Sequence, residues 1–187
     1  MSLNLPIPLK RNLYFSDGVN LESIQKLTEA IVEINDDDEH LKKLFQVYNL
    51  KYEPEPIKIY IDSFGGSVYQ ILGLVSVIET SKVPIHTIST GVAMSAGLIM
   101  LISGHKRFAH KYSTQLYHQV SSMTWGKLEC MKDELKEFKR LQKMLNDIII
   151  RKTKLTKKKL KEINTLQKDW YLTAEESLQF GIIDEII

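Results

Sequence analysis

Two stretches of this chain repeat one design. The alternating run IKIYIDS (57 to 63) leads through the glycines at 65 and 66 into SVYQILGLVSVIETS (67 to 81), and VPIHTIST (83 to 90) leads through GVAMSAG (91 to 97) into the apolar run AGLIMLIS. Each unit reads as strand, small-residue turn and helix, the helix of the first carried by Val68, Ile71, Leu72, Val75 and Ile78. Two such units in succession predict neighbouring parallel strands joined by right-handed crossovers, so the fold class is α/β. No other feature narrows the architecture so far.

The rest of the pattern agrees. Leu21, Ile24, Leu27, Ile31 and Ile34 recur at helical spacing after the turn-like SDG. The charged segment 35–56, closing on two prolines, reads as an exposed connection with a short helix, the least constrained part of the chain. RFAH (107 to 110) and TQLYHQV (114 to 120) read as two further strands. A long amphipathic helix then spans about 127–152 on Leu128, Met131, Leu135, Phe138, Leu141, Leu145 and Ile148, too long for a compact domain to cover. Thr156 caps a short basic helix. The chain closes with a strand, a Thr-capped helix from Ala174, a stop at Gly181 and a last apolar strand.

Composition excludes several function classes. The 187 residues fit a single domain over 1–187, and 25 basic against 23 acidic residues leave a net charge of +2, no field to recruit nucleic acid or an anionic membrane. Cys130 is the sole cysteine, which rules out an internal disulfide and a thiolate zinc cluster and fits a reducing, cytoplasmic compartment. The N-terminus carries no signal- or transit-peptide pattern, and the run 92–103 is too short to span a bilayer, so no membrane association is expected. No His/Cys/Asp/Glu grouping has metal-ligand spacing, and we expect neither a metal nor a cofactor. The basic stretch 151–161 reads as a solvated face, and Trp125 and Trp170 as packing residues.

Chemistry concentrates at the two turns. Glycines after a buried strand let backbone N–H groups approach an oxyanion, though the first turn matches neither G-x-G-x-x-G nor the P-loop pattern. Ser95, in the second turn, stands where a hydroxyl would project from the carboxyl end of the sheet, followed by the N–H of Ala96. Its ordinary role there would be a helix N-cap. A nucleophilic serine needs a base. Among His40, His86, His105, His110 and His118, the last ends a strand beside the serine turn. For the carboxylate that would orient the imidazole, Asp169 and Asp184 compete, and periodicity does not choose between them.

At this point the motifs resemble a family. YIDSFGGSV, GVAMSAG, YHQ, the long helix and KDWYLTAEESLQFGIIDEI are similar, in order, to the SPGG turn, nucleophile turn, HQP segment, handle helix and closing motif of ClpP, the Clp protease proteolytic subunit family, from about Arg11 to the end. The resemblance implies a ClpP/crotonase-like fold with a protruding handle helix. It implies a serine endopeptidase in which Ser95 is nucleophile, His118 base and then acid, Asp169 the orienting carboxylate, and Gly66 and Ala96 the oxyanion-hole donors. It also implies unfolded polypeptide substrates, a homo-oligomeric heptameric ring doubled to a tetradecamer through the handle helix, and a triad whose alignment depends on assembly. An AAA+ unfoldase would be the partner that uses ATP.

Several positions depart from the family. Asp62 replaces its Asn before the turn, and Phe64, Val120 and Ser121 replace Pro or Gly. The few residues before LYFSDG are expected to lack most of the axial-gate segment. Two other classes compete: a non-catalytic or regulatory ring subunit, and a crotonase-fold acyl-thioester enzyme. A Ser/Lys-dyad relative of signal-peptide peptidases is a further alternative.

Overall fold

A computed structural model describes residues 10–121, 126–166 and 169–187. Trp125 and the first nine residues, on which the gate expectation rests, lie outside these. In chain order the elements are β1 (Asn12–Phe15), α1 (Leu21–Val47), β2 (Ile57–Ser63), α2 (Val68–Thr80), β3 (Ile85–Met94), α3 (Ala96–Ser103), β4 (Lys106–Ala109), β5 (Thr114–Tyr117), α4 (Leu128–Lys152), α5 (Lys157–Thr165), β6 (Trp170–Leu172), α6 (Ala174–Gln179) and β7 (Glu185–Ile186).

The strands form one sheet in the order β1-β2-β3-β4-β7, with every neighbour along that path parallel. Ile57, Ile59 and Ile61 are fully buried while Lys58 and Asp62 face solvent, the period-two pattern of a half-covered strand. On the open side Tyr14 stacks on Tyr60 at 5.0 Å. All eight residues of α3 are buried, wedged against α2 and α4, as a helix apolar on every face requires.

The strand β3 forks the sheet. Its first half, His86 to Ser89, pairs with β4, whereas Val92 to Met94 pair with β5. On its other side the register with β2 slips between Ile61 and Ser63. Asp62 braces this irregularity by accepting the Val92 N–H through Oδ1 at 2.9 Å, and a Cβ on Gly91 would lie 2.6 Å from the same oxygen. The bend carries the end of β3 away from β4 and towards β5, as bulges beside functional sites commonly do. The segment 91–94 read from sequence as a turn is therefore the end of a strand.

Helix α1 corrects a second expectation. It runs unbroken through the charged segment to Val47. The extension is anchored by partners distant in sequence. Asp38, 4% exposed, takes the Arg11 guanidinium in a fork at 2.8 and 2.5 Å and also accepts from the Tyr52 hydroxyl. Hydrogen bonding to Asp38 raises the Arg11 pKa, and burial followed by the same carboxylate pushes Tyr52 to about 12. Asn35 accepts the Lys82 N–H at 2.8 Å and holds the α2–β3 connection.

The capping chemistry matches the sequence. Thr173 and Glu176 form a reciprocal capping box at α6, Thr156 accepts the Lys159 N–H, and Gly181 ends α6 at φ +67°. Trp170 meets Phe180 edge-on at 5.0 Å. The expected strand over 114–120 is shorter, ending at Tyr117. No helix among the described residues is long and apolar enough to cross a membrane.

Candidate active site

Ser95 sits between β3 and α3 at φ 53°, ψ −119°, a conformation that costs a non-glycine residue about 1–3 kcal/mol and persists only where the surroundings fix it. They do so here: the Ser95 N–H donates to the Leu116 carbonyl of β5 at 2.9 Å, and its own carbonyl accepts the Leu98 N–H at 3.0 Å. The hydroxyl does not cap α3. The ordinary reading of a serine at a helix start is thereby removed, and its Oγ faces a small cavity of about 70 Å³.

Gly66, Ala96 and His118 line the same cavity, with Val68, Ile71 and Leu145 as apolar wall. The glycine turn abuts the serine: a Cβ on Gly65 would fall 2.7 Å from the Ser95 Cβ. Gly66 lies at φ +147° and bridges Val19 through its neighbours, Gly65 offering the carbonyl and Ser67 the N–H, both at 2.8 Å. That pairing leaves the Gly66 N–H unengaged among the described residues. Ala96, the first residue of α3, has an N–H that no preceding turn can accept. Two backbone donors are thus available beside the Ser95 hydroxyl.

His118 follows β5 directly. Its Nδ1 lies 2.6 Å from the Gln119 carbonyl, and because a carbonyl can only accept, Nδ1 carries the proton. Nε2 is left with its lone pair, the tautomer a general base needs. Beneath this segment is a polar network that the sequence did not announce. Gln142 of α4 accepts the Val120 N–H at 2.7 Å, and the buried Tyr117 hydroxyl lies 3.0 Å from Asn146 of α4 and 2.9 Å from Asn164 of α5. Burial raises the Tyr117 pKa, so the phenol stays neutral and donates. Its members come from three elements, so no local pattern could have joined them.

The two candidate carboxylates separate clearly. The β5–β6 pairing is antiparallel with Tyr117 opposite Trp170 and Leu116 opposite Tyr171, so one further step sets Asp169 opposite His118. Asp184 lies elsewhere, clasping Arg107 by paired bonds of 3.0 and 2.5 Å near the start of β4, far along β3 from Ser95. Burial alone would raise the Asp184 pKa, and the Arg107 bonds bring it below the usual range. Asp169 does not line the cavity, and among the described residues no hydrogen bond joins Ser95 to His118 or His118 to Asp169. Of the other histidines, His86 and His105 have pKa values lowered first by burial, and His105 is occupied by the Ile85 N–H.

Fold and cavity define an α/β protein with a strained serine at a strand–helix turn, two free backbone donors and a neighbouring imidazole. The comparisons give it a family: this chain belongs to the Clp protease family, whose family model matches residues 22–187. It is 33% identical over 135 residues to the ATP-dependent Clp protease proteolytic subunit of Deinococcus radiodurans, an alignment covering 71% of this chain and 65% of that protein's length. Its fold is similar to that of a ClpP1 point mutant from Listeria monocytogenes, with TM-score 0.78, 21% identity, and coverage of 95% of this chain and 91% of the other.

Proposed function

We propose that this chain is a serine endopeptidase that cleaves unfolded polypeptide inside a ring of its own copies. Ser95 Oγ attacks the peptide carbonyl while His118 Nε2 takes its proton. The tetrahedral oxyanion rests on the Gly66 and Ala96 N–H groups. His118 then protonates the leaving amine, and water, deprotonated by the same nitrogen, releases the acyl group from Ser95. Asp169 takes over the Nδ1 proton that Gln119 now holds, a change that rotation of the His118 ring accomplishes. Apo geometry is commonly looser than the catalytic one. Heptameric rings paired through α4, and an AAA+ unfoldase feeding them, complete the proposal, with no cofactor in this chain. The exposed apolar residues Leu128, Met131 and Leu135 on α4 support such pairing.

The observation that carries the proposal is the strained, uncapped Ser95 sharing one cavity with His118 and two free donors. A fluorophosphonate, which modifies only an activated serine, is expected to add one adduct to the wild-type chain and none to Ser95→Ala by intact mass. An unmodified wild type, at concentrations where rings form, would favour a scaffold subunit, the second reading, which the unformed Ser95–His118 and His118–Asp169 bonds support.

Gly66→Ala probes the donor. Its Cβ would meet the Val19 carbonyl oxygen at 2.4 Å, forcing the turn outward and carrying the N–H with it. Initial rates on a quenched peptide should fall roughly 100- to 1000-fold, the loss of one oxyanion donor. Rates within threefold of wild type would remove Gly66 from the proposed machinery.

A further inference from the structure

A second cavity of about 780 Å³ opens off the Ser95 site, the two sharing Gln119, Val120 and Ser121 as a common wall. It runs between α4 and α5. Leu135, Phe138 and Ile150 offer it an apolar floor, and Lys139, Lys143, Lys157 and Lys161 reach it from the two helices. Asp147 is the one carboxylate in its lining, and Lys143 already binds it at 2.6 Å. Lys139, Lys157 and Lys161 have no carboxylate within salt-bridge distance among the described residues. A wall otherwise neutral thus carries three cations without counter-charges beside a strip of apolar surface.

The geometry points to substrate selection: this groove seats extended polypeptide in which apolar residues alternate with acidic ones, next to the bond being cut. The inference rests on the proposed role of Ser95 for the word substrate, but the binding it asserts is independent of cleavage. In an extended chain successive side chains point to opposite sides. An apolar residue turned to Phe138 and Leu135 therefore turns its neighbours outward, towards the lysine rim, where a carboxylate is attracted and an ammonium repelled. The groove runs directly into the Ser95 cavity, so a chain held there passes its carbonyls close to the hydroxyl. Nucleic acid is the competing polyanion, but its bases would need stacking platforms, and Phe138 is the single aromatic side chain in the lining.

The test uses full-length Ser95→Ala, which binds without cutting, and fluorescein-labelled ten-residue peptides of alternating Glu-Leu, Ser-Leu or Lys-Leu, read by anisotropy at low and high salt. The acidic peptide is expected to bind about tenfold more tightly than the neutral one at low salt, the sum of a few exposed charge pairs, and to lose most of that margin at high salt. Adding Lys157→Glu and Lys161→Glu should invert the order, favouring the basic peptide. Adding Lys158→Glu, the same charge change at an exposed position of α5 outside the groove, should leave it unchanged. Equal affinity for the three peptides, or equal responses to the two sets of substitutions, overturns the inference. So does displacement of the acidic peptide by a lower concentration of a single-stranded oligonucleotide of the same charge. If the fluorophosphonate marks Ser95 while the peptides bind alike, the peptidase proposal stands and this one falls. If the peptides discriminate while Ser95 stays unmodified, the groove is upheld and the peptidase proposal falls.

Discussion

Asp169→Asn should lower kcat/KM for peptide cleavage by about 10,000-fold while the thermal midpoint stays within a few degrees of wild type. An amide at that position can present its N–H to the imidazole and favour the wrong tautomer, and it supplies no charge to stabilise imidazolium. The argument depends on the antiparallel register of β5 and β6, which continues from Tyr117 and Trp170 to His118 and Asp169. Asp184→Asn gives the contrasting profile. It loosens the clasp on Arg107 that ties β7 to β4, so it should lower thermal stability and leave the rate per folded chain nearly unchanged. Steady-state kinetics and thermal unfolding on both variants decide the matter. A full rate in Asp169→Asn, or a rate loss in Asp184→Asn that exceeds its loss of folded protein, would sink the assignment of Asp169.

Asp38→Ala should cost about 3–5 kcal/mol, because it leaves the Arg11 guanidinium enclosed without a counter-charge. The Arg11 side chain is 13% exposed and that of Asp38 is 5%, so little water reaches the pair. For a chain of this size the expected fall in thermal midpoint is on the order of 10 °C. The double variant Arg11→Met with Asp38→Leu removes both charges and should recover most of the loss, since what destabilises is the stranded cation. A single-variant loss below about 1 kcal/mol, measured by urea unfolding, would mean that the pair behaves as a surface contact.

The parts of this molecule legible in the sequence are those decided by neighbours in the chain. The two strand–turn–helix units, the caps at Thr156 and Thr173, the stop at Gly181 and the long helix all follow from local spacing. The helical character of 35–47 does not, because Asp36, Asp37 and Asp38 are poor helix formers and lack apolar rhythm. What holds them in helix is Arg11 and Tyr52 at Asp38, and the Lys82 backbone at Asn35, contacts invisible to a sliding window. At the site, Ser95, His118 and the glycine turn announce themselves by position relative to strand ends. The forking of β3 does not, nor does the choice between Asp169 and Asp184, since both depend on which strands lie side by side.

Helix α4 is a cantilever. Its 25 residues make a rod of roughly 37 Å, clamped through Leu141, Leu145, Ile148 and Ile149, while every residue from Leu128 to Lys136 is in solvent. Gln142, whose carbonyl oxygen holds the Val120 N–H, sits at the edge of the clamp, one turn before the Leu145 that walls the Ser95 cavity. A force on the free end therefore acts about a fulcrum that also grips the segment carrying His118, and a small tilt of the overhang displaces that segment through a hydrogen bond and a packed leucine. Mechanical load and catalytic geometry share one lever in this chain.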